Sequence, residues 1–439
     1  MALAVERGTL GKAVARAVMA ILAVVIAVSS ALPMVAGPRT AAARERDRAR
    51  ADAALSIVVL PRGTDPVAAA AALGVEPVHV YRNAITGFAA ALPPGAVTAA
   101  RSSRSVNQIQ PDGIVRIQGE PVDPVGKNRK KKKNKRQKVV RPQRVPTGYR
   151  RIETTPGGYN GIGVAVLDTG VARVRDIRVV GGKSCVKGGP YRDRNGHGTH
   201  VAGTVAALNN KRDSVGIAPN ANIYAVKVLD DDGSGRWSDV ICGLEWVVQN
   251  KARINVVNMS LAGDGTNDGS CLGDALHAAI CGVVDAGIPV VVAAGNQGGD
   301  VATRVPAAYP EVITVAAFAD SNGLPPASGE GPKTCDRSPD DVFWRFSNDG
   351  EEIDITAPGA CISSLRPNGG VIRYSGTSMA TPHVTGALVR FLAANPAATP
   401  DDAKGWLMDE ASVAPGDDDY AAYGLRNGAH RILWFGGGS

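Results

Sequence analysis

Two textures of hydrophobic and polar patterning divide the chain. Over residues 55–119, short β-branched or alternating runs are separated by Ala-rich stretches. Residues 56–60, 78–81, 87–92, 106–109 and 114–117 read as strands, and 66–73 and 96–101 as helices. This succession predicts a small α+β unit of ferredoxin-like type. From residue 163 the apolar runs become continuous: 164–167, 223–228, 256–260, 290–294 and 312–316 carry almost no polar alternation. Such runs suit parallel strands covered on both faces. Between them, 199–208, 238–249 and 274–286 have helical spacing. The pattern predicts an α/β domain with a doubly wound, mainly parallel sheet and helices on both faces. Chemistry in such sheets gathers at the carboxyl ends of the strands.

The ends and joins are patterned differently. Residues 1–43 combine Arg7, Lys12 and Arg16 with an apolar run over 17–28 and small residues after it, the layout of a secretory signal peptide. Residues 44–54 are Arg-, Asp- and Ala-rich and read as a linker. No later stretch is apolar for ~18 residues, so nothing else is predicted to span a membrane. Residues 127–144 hold 11 Lys or Arg and no acid. Removing those charges from the +8 total leaves the rest of the 439-residue chain at −3. Like charges repel, so 120–142 is expected to be an extended, disordered linker, with contact to polyanions as the alternative. Six cysteines, all after residue 180, suggest disulfides in the C-terminal domain, 143–439.

Four polar features stand at the ends of these elements. Asp168 closes the first long strand. His197, in Asn195-Gly196-His197-Gly198-Thr199-His200, opens a helix. Asn296 follows a central strand, and Ser378 opens a helix after Gly376-Thr377. Singly each has a plain reading: a strand-end Asp or a Ser before a helix is commonly a cap, and His197 with His200 has metal-ligand spacing. No Cys or carboxylate set at zinc spacing completes a metal site there. Taken together, the order Asp, His, Asn, Ser is that of a nucleophile with its base, its orienting acid and an oxyanion donor.

The surrounding motifs carry a resemblance. Val166-Leu167-Asp168-Thr169-Gly170, His197-Gly198-Thr199-His200-Val201-Ala202-Gly203, Asn258-Met259-Ser260-Leu261, Ala293-Ala294-Gly295-Asn296 and Gly376-Thr377-Ser378-Met379-Ala380-Thr381-Pro382-His383 resemble those of the subtilisin-family serine proteases, the subtilases. The resemblance covers roughly 143–430. It implies an endopeptidase with Ser378 as nucleophile, His197 as general base, Asp168 as its orienting acid and Asn296 in the oxyanion hole. His200 and His383 are then structural, and no catalytic cofactor is needed. Ser260, Leu261, Ala262, Gly263, Ala293, Ala294 and Gly295 would wall the primary substrate pocket, with Gln297 beside it. Trp237 would rim a more distant subsite. Small uncharged walls imply apolar or broad preference before the cut. Asp230-Asp231-Asp232 near that edge reads as a solvated turn.

Residues 55–119 resemble a subtilase propeptide, through Gly87-Phe88-Ala89-Ala90 and 106–117. That implies an intramolecular chaperone and inhibitor, autocleavage near 117–120, and a second trimming in the basic tract. Gln143-Arg144-Val145-Pro146 and the 206–219 loop resemble a calcium site of the family. The implied ligands are the side chains of Gln143, Asp176 and Asn210 and the carbonyls of Leu208, Arg212 and Ser214, with Lys211 and Arg212 as a departure from the family's loop. Six cysteines admit 15 connectivities. The pairing expected is Cys185–Cys242, Cys271–Cys281 and Cys335–Cys361. The whole reads as a secreted, monomeric, autoprocessed zymogen acting on proteins and peptides.

Overall fold

The computed structural model describes residues 54–121, 143–152, 159–413 and 430–434. The expected signal peptide, and the basic tract from 122 to 142, lie outside the described residues. Among the described residues, no helix is long and apolar enough to cross a membrane.

The N-terminal unit is a four-stranded antiparallel sheet in the spatial order Pro77–Tyr81, Gly87–Leu92, Ala54–Val59, Gln108–Pro111. Helices Pro66–Ala72 and Pro94–Ser102 pack against it through Ala70 and Ala96, onto Val58, Phe88, Ala90 and Leu92. Both helices begin on a proline, whose fixed φ and missing N–H suit a first helical turn. Thus the second starts at Pro94, two residues before the expected position. The strand expected at 106–109 is displaced to Gln108–Pro111, because Asn107 instead ends the turn by donating to the Val59 carbonyl.

The larger unit is built on a ten-stranded sheet. Its parallel centre runs Val179–Ser184, Asn222–Lys227, Gly163–Asp168, Val256–Met259, Val290–Ala293, Ile313–Ala319, Ile355–Pro358. The two-residue periodicity of a strand sends alternate side chains to opposite faces. Val164 and Val166 join helices His197–Ala206 and Thr377–Ala394 on one side. Ala165 and Leu167 join helices Trp237–Gln249 and Ala275–Asp285 on the other. Both faces are covered, which is why the runs are continuous in sequence.

Strand Ile114–Ile117 leaves the N-terminal unit and inserts between two segments of the larger one. It pairs antiparallel with Ser234–Arg236 on one edge and with Leu261–Asp264 on the other. Beyond it, Glu120 and Pro121 pair with Ser375 and Tyr374. The expected linker 120–142 therefore begins as a strand, because those two backbones find ladder partners beside Ser378. The three cysteine pairs stand at bonding distance, with S–S separations of 2.11, 2.03 and 2.00 Å for Cys185–Cys242, Cys271–Cys281 and Cys335–Cys361.

Candidate active site

Asp168 ends its strand at the sheet's carboxyl edge, next to the strand where the winding reverses. Its carboxylate lies 2.9 Å from His197 Nδ1 through each oxygen and also accepts from the Thr169 N–H. Both side chains are fully buried. Gly196 precedes the histidine with φ +116°, a backbone state open to glycine that turns the chain into the helix. Gly198 must also lack a side chain, since a Cβ there would press on the Gly170 carbonyl and the Asp168 carboxylate.

Asp193 has no place in the motifs, yet it fastens this corner. Its carboxylate accepts from the N–H groups of Asn195, Gly196 and Thr199 and from the hydroxyls of Thr169 and Thr199. Burial raises its carboxyl above the usual range, with these hydrogen bonds opposing. Lys227 adds a hydrogen bond of 2.8 Å to the Thr169 carbonyl. Asp193 lies four residues before His197, so an Asp preceding a Gly-flanked histidine was the available signal.

Ser378 is the second residue of its helix, where backbone N–H groups lack intrahelical partners. Its N–H donates instead to the Gln118 carbonyl at 3.0 Å. A Cβ at Gly376 would collide with that same oxygen and lie 2.8 Å from Gly119 Cα and 2.9 Å from Asn296 Nδ2. The bond between Gln118 and Gly119 therefore sits against the serine, with the Asn296 amide nitrogen beside it. Asn296 is oriented from behind: its Oδ1 accepts from the Thr377 N–H at 2.9 Å and the Thr377 hydroxyl at 2.8 Å, which leaves Nδ2 facing Gln118. A Cβ at Gly119 would lie 3.1 Å from His197 Nε2 and 3.3 Å from Ser378 Cβ. His197 Nε2 is buried with no hydrogen-bond partner, and the Ser378 hydroxyl donates to the Ser260 carbonyl at 2.9 Å.

Not every expected wall residue faces the cleft. The Ser260 side chain turns away and donates to the Ser378 carbonyl, so it ties the strand to the helix rather than lining the pocket. Leu261 and Ala262 do flank the inserted strand, opposite Ile117 and Arg116. Gly263 and Gly113 each make room for the Trp237 ring, which shares an apolar cluster with Val115. Gly295, at φ +103°, leaves space for the Asn348 amide, and Ala293 and Ala294 approach it as the end of the central strand. Asp231 pairs with Lys227 and Arg194, and Asp230 accepts from the Asp232 and Ser234 N–H groups, the bonding of a closed turn.

His200 Nε2 faces the carbonyls of Ile362 and Ile372 at 2.9 and 3.2 Å, so it carries the hydrogen. Burial lowers its pKa to about 3, and that of His383 to about 4. Both are neutral structural rings.

Away from the cleft, hydrogen bonds join Gln143, Asp176, Leu208, Asn210 and Ser214, five of the six expected calcium residues. Gln143 Nε2 donates to the Leu208 and Ser214 carbonyls at 2.9 and 3.0 Å. Asp176 accepts from Asn210 Nδ2 at 2.7 Å and from the Ser214 N–H at 3.2 Å. Burial pushes the Asp176 carboxyl up to about 6. This oxygen-rich donor set fits a hard cation, which would take the place of the amide N–H donors. Lys211 and Arg212 are exposed, and the Arg212 charge is close enough to oppose the rise of the Asp176 carboxyl.

A sequence profile described as "Subtilase family" matches residues 159–428. Subtilisin E of Bacillus subtilis (strain 168) is 40% identical over 296 residues, covering 65% of this chain and 70% of its own length. Subtilisin of Bacillus pumilus is also 40% identical over 296 residues, 98% of its length. Among solved structures, a cold adapted subtilisin-like serine proteinase superposes with a TM-score of 0.53 at 32% identity, covering 66% of this chain and 98% of that one.

Proposed function

The chain belongs to the subtilase family of serine endopeptidases, and from that premise we propose that it is a secreted zymogen which first cuts its own Gln118–Gly119 bond. The single observation that carries this reading is the 3.0 Å hydrogen bond from the Ser378 N–H to the Gln118 carbonyl. That carbonyl carbon is the one Ser378 Oγ attacks. His197 Nε2 takes the serine proton and later gives it to the leaving amine of Gly119. Asp168 holds the Nδ1–H and stabilises the imidazolium. The negative charge developing on the Gln118 oxygen is met by the Ser378 N–H and Asn296 Nδ2. Water then releases the acyl-enzyme by the same proton path in reverse.

Residues 55–119 act as chaperone and inhibitor, since their last strand occupies the cleft that a substrate needs. In substrates the same edges hold an extended peptide, with an apolar or other uncharged side chain directly before the cut and an apolar one four positions back, against Trp237, as Val115 is here. Ca2+ would be held by the Gln143, Asp176, Leu208, Asn210, Arg212 and Ser214 oxygens and would stiffen the loop. It takes no part in the chemistry. The basic tract is trimmed during maturation. Retention on heparin before and after maturation measures any contact it makes with polyanions. The mature enzyme acts as a monomer.

Ser378→Ala tests the reading. The secreted variant should accumulate uncut at Gln118–Gly119 by mass mapping, and the wild type should hydrolyse casein in a manner abolished by a sulfonyl fluoride. A variant processed as efficiently as wild type would show that another protease matures it.

A further inference from the structure

We propose that the primary pocket of this enzyme selects glutamine, and that Asn348 sets the polarity with which Gln297 reads it. The inference rests on the reading that Gln118 precedes the bond cut in maturation.

Gln118 is only 6% exposed although its neighbour Arg116 is exposed. A buried amide needs partners at both ends. Its Nε2 donates to the Arg116 carbonyl at 3.2 Å and to the Ala262 carbonyl at 3.4 Å. Its Oε1 faces Gln297 Nε2 at 3.4 Å. Two carbonyls at one end fix which end of the Gln118 amide is nitrogen.

The Gln297 amide is fixed in the same way. Its Oε1 accepts from the Asn296 N–H and from Asn348 Nδ2, each at 3.1 Å, so its N–H group is the end presented to the pocket. Asn348 is wholly buried and cannot flip. Its Oδ1 accepts from the Gln297 and Gly299 N–H groups at 3.0 and 3.1 Å, and its Nδ2 donates to the Ala294 carbonyl at 2.8 Å. Fixed backbone groups thus orient Asn348, Asn348 orients Gln297, and Gln297 offers a donor at the pocket. A Cβ at Gly295 would strike this pair, which is why the wall must be glycine there.

The pocket consequently presents one acceptor, the Ala262 carbonyl, and one donor, the Gln297 amide. A primary amide on two methylenes answers both. A glutamate would set its carboxylate against the Ala262 carbonyl. A leucine would leave both groups without a partner, and an asparagine is one methylene short.

The test uses mature enzyme obtained from the full-length chain and peptides of sequence 114–119 with position 118 varied. Contacts of 3.4 Å are long, so about a fivefold higher kcat/KM for Gln over Leu, and about tenfold over Glu, is expected. Gln297→Leu should bring the Gln-to-Leu ratio to one or below. Asn348→Leu should lower the same ratio, whereas a merely structural defect would reduce both rates together. Leu or Phe cleaved as fast as Gln by the wild type, or a ratio that survives Gln297→Leu, would overturn the proposal. The wild-type comparison decides even if the variants fold poorly. Mass mapping separates the two readings: a precursor cut elsewhere than after Gln118 refutes the cleavage site, whereas a cut there with indifferent peptides refutes only the selectivity.

Discussion

Glu245 holds the N-terminal unit through four donors, and its removal should loosen that unit, the inhibitor proposed above, by about a hundredfold or more. Its carboxylate is nearly buried and accepts from three consecutive backbone N–H groups: Arg82 at 2.7 Å, Asn83 at 2.9 Å and Ala84 at 2.8 Å. The Asn83 side-chain amide adds a fourth donor. A hydrogen bond to a charged acceptor is worth ~1.5–3 kcal/mol net. The four are not additive, because they share one carboxylate and water re-solvates it once the unit leaves. Two bonds' worth, ~3–4 kcal/mol, is a realistic loss for Glu245→Ala, or about 10²- to 10³-fold in dissociation constant. Glu245→Gln keeps one oxygen but turns an N–H toward the donors, and should lose about tenfold through the charge and the misplaced donor. The assay is the lag before casein hydrolysis after cleavage of the full-length chain, together with the inhibition constant of the cut unit. The lag should shorten in the order wild type, Gln, Ala. An inhibition constant for Glu245→Ala within threefold of wild type would refute the reasoning.

Three further outcomes follow from the same geometry. Burial pushes the Asp320 carboxyl up from 3.8 to about 6, with Arg151 opposing. The folded state therefore holds this proton more tightly than the unfolded one, and stability falls as pH rises from about 4 to 6, by at most ~3 kcal/mol. Asp320→Asn keeps the acceptor for the Asn322 and Gly323 N–H groups and should raise Tm at pH 7 more than at pH 4; equal shifts at both would refute it. Chelation should lower Tm by roughly 5–10 °C, since a ligand at a hundredfold its Kd adds ~2.7 kcal/mol and each kcal/mol moves Tm by ~2–4 °C. Asp176→Ala should make Tm insensitive to calcium. Thr377→Val removes the hydroxyl that steers Asn296 and should cut kcat about tenfold with little change in KM, the mark of a contact that matters in the transition state.

The sequence by itself determined the fold class and the helical and strand texture, and it singled out the four residues proposed to carry the chemistry. These are local properties: a strand buried on both faces must be apolar throughout, and a close approach at 196, 198, 295 or 376 must be glycine. The motifs at 168, 197, 296 and 378 are each a few residues long, so nearest neighbours suffice to write them. The boundaries it missed were set by partners elsewhere, as when Asn107 bonds to Val59 or Glu120 finds Ser375. Only the tertiary structure decided that Gln118 lies against Ser378, because that depends on strand Ile114–Ile117 fitting between two edges over a hundred residues away in sequence. The roles of Glu245 and Asn348 were equally out of reach. Each is a lone polar residue in sequence, and its meaning comes from which backbone N–H and carbonyl groups the fold brings to its two ends. Chain pattern fixes which residues carry reactive groups, whereas the direction in which each hydrogen bond points is fixed by fully buried backbone groups that must all be paired.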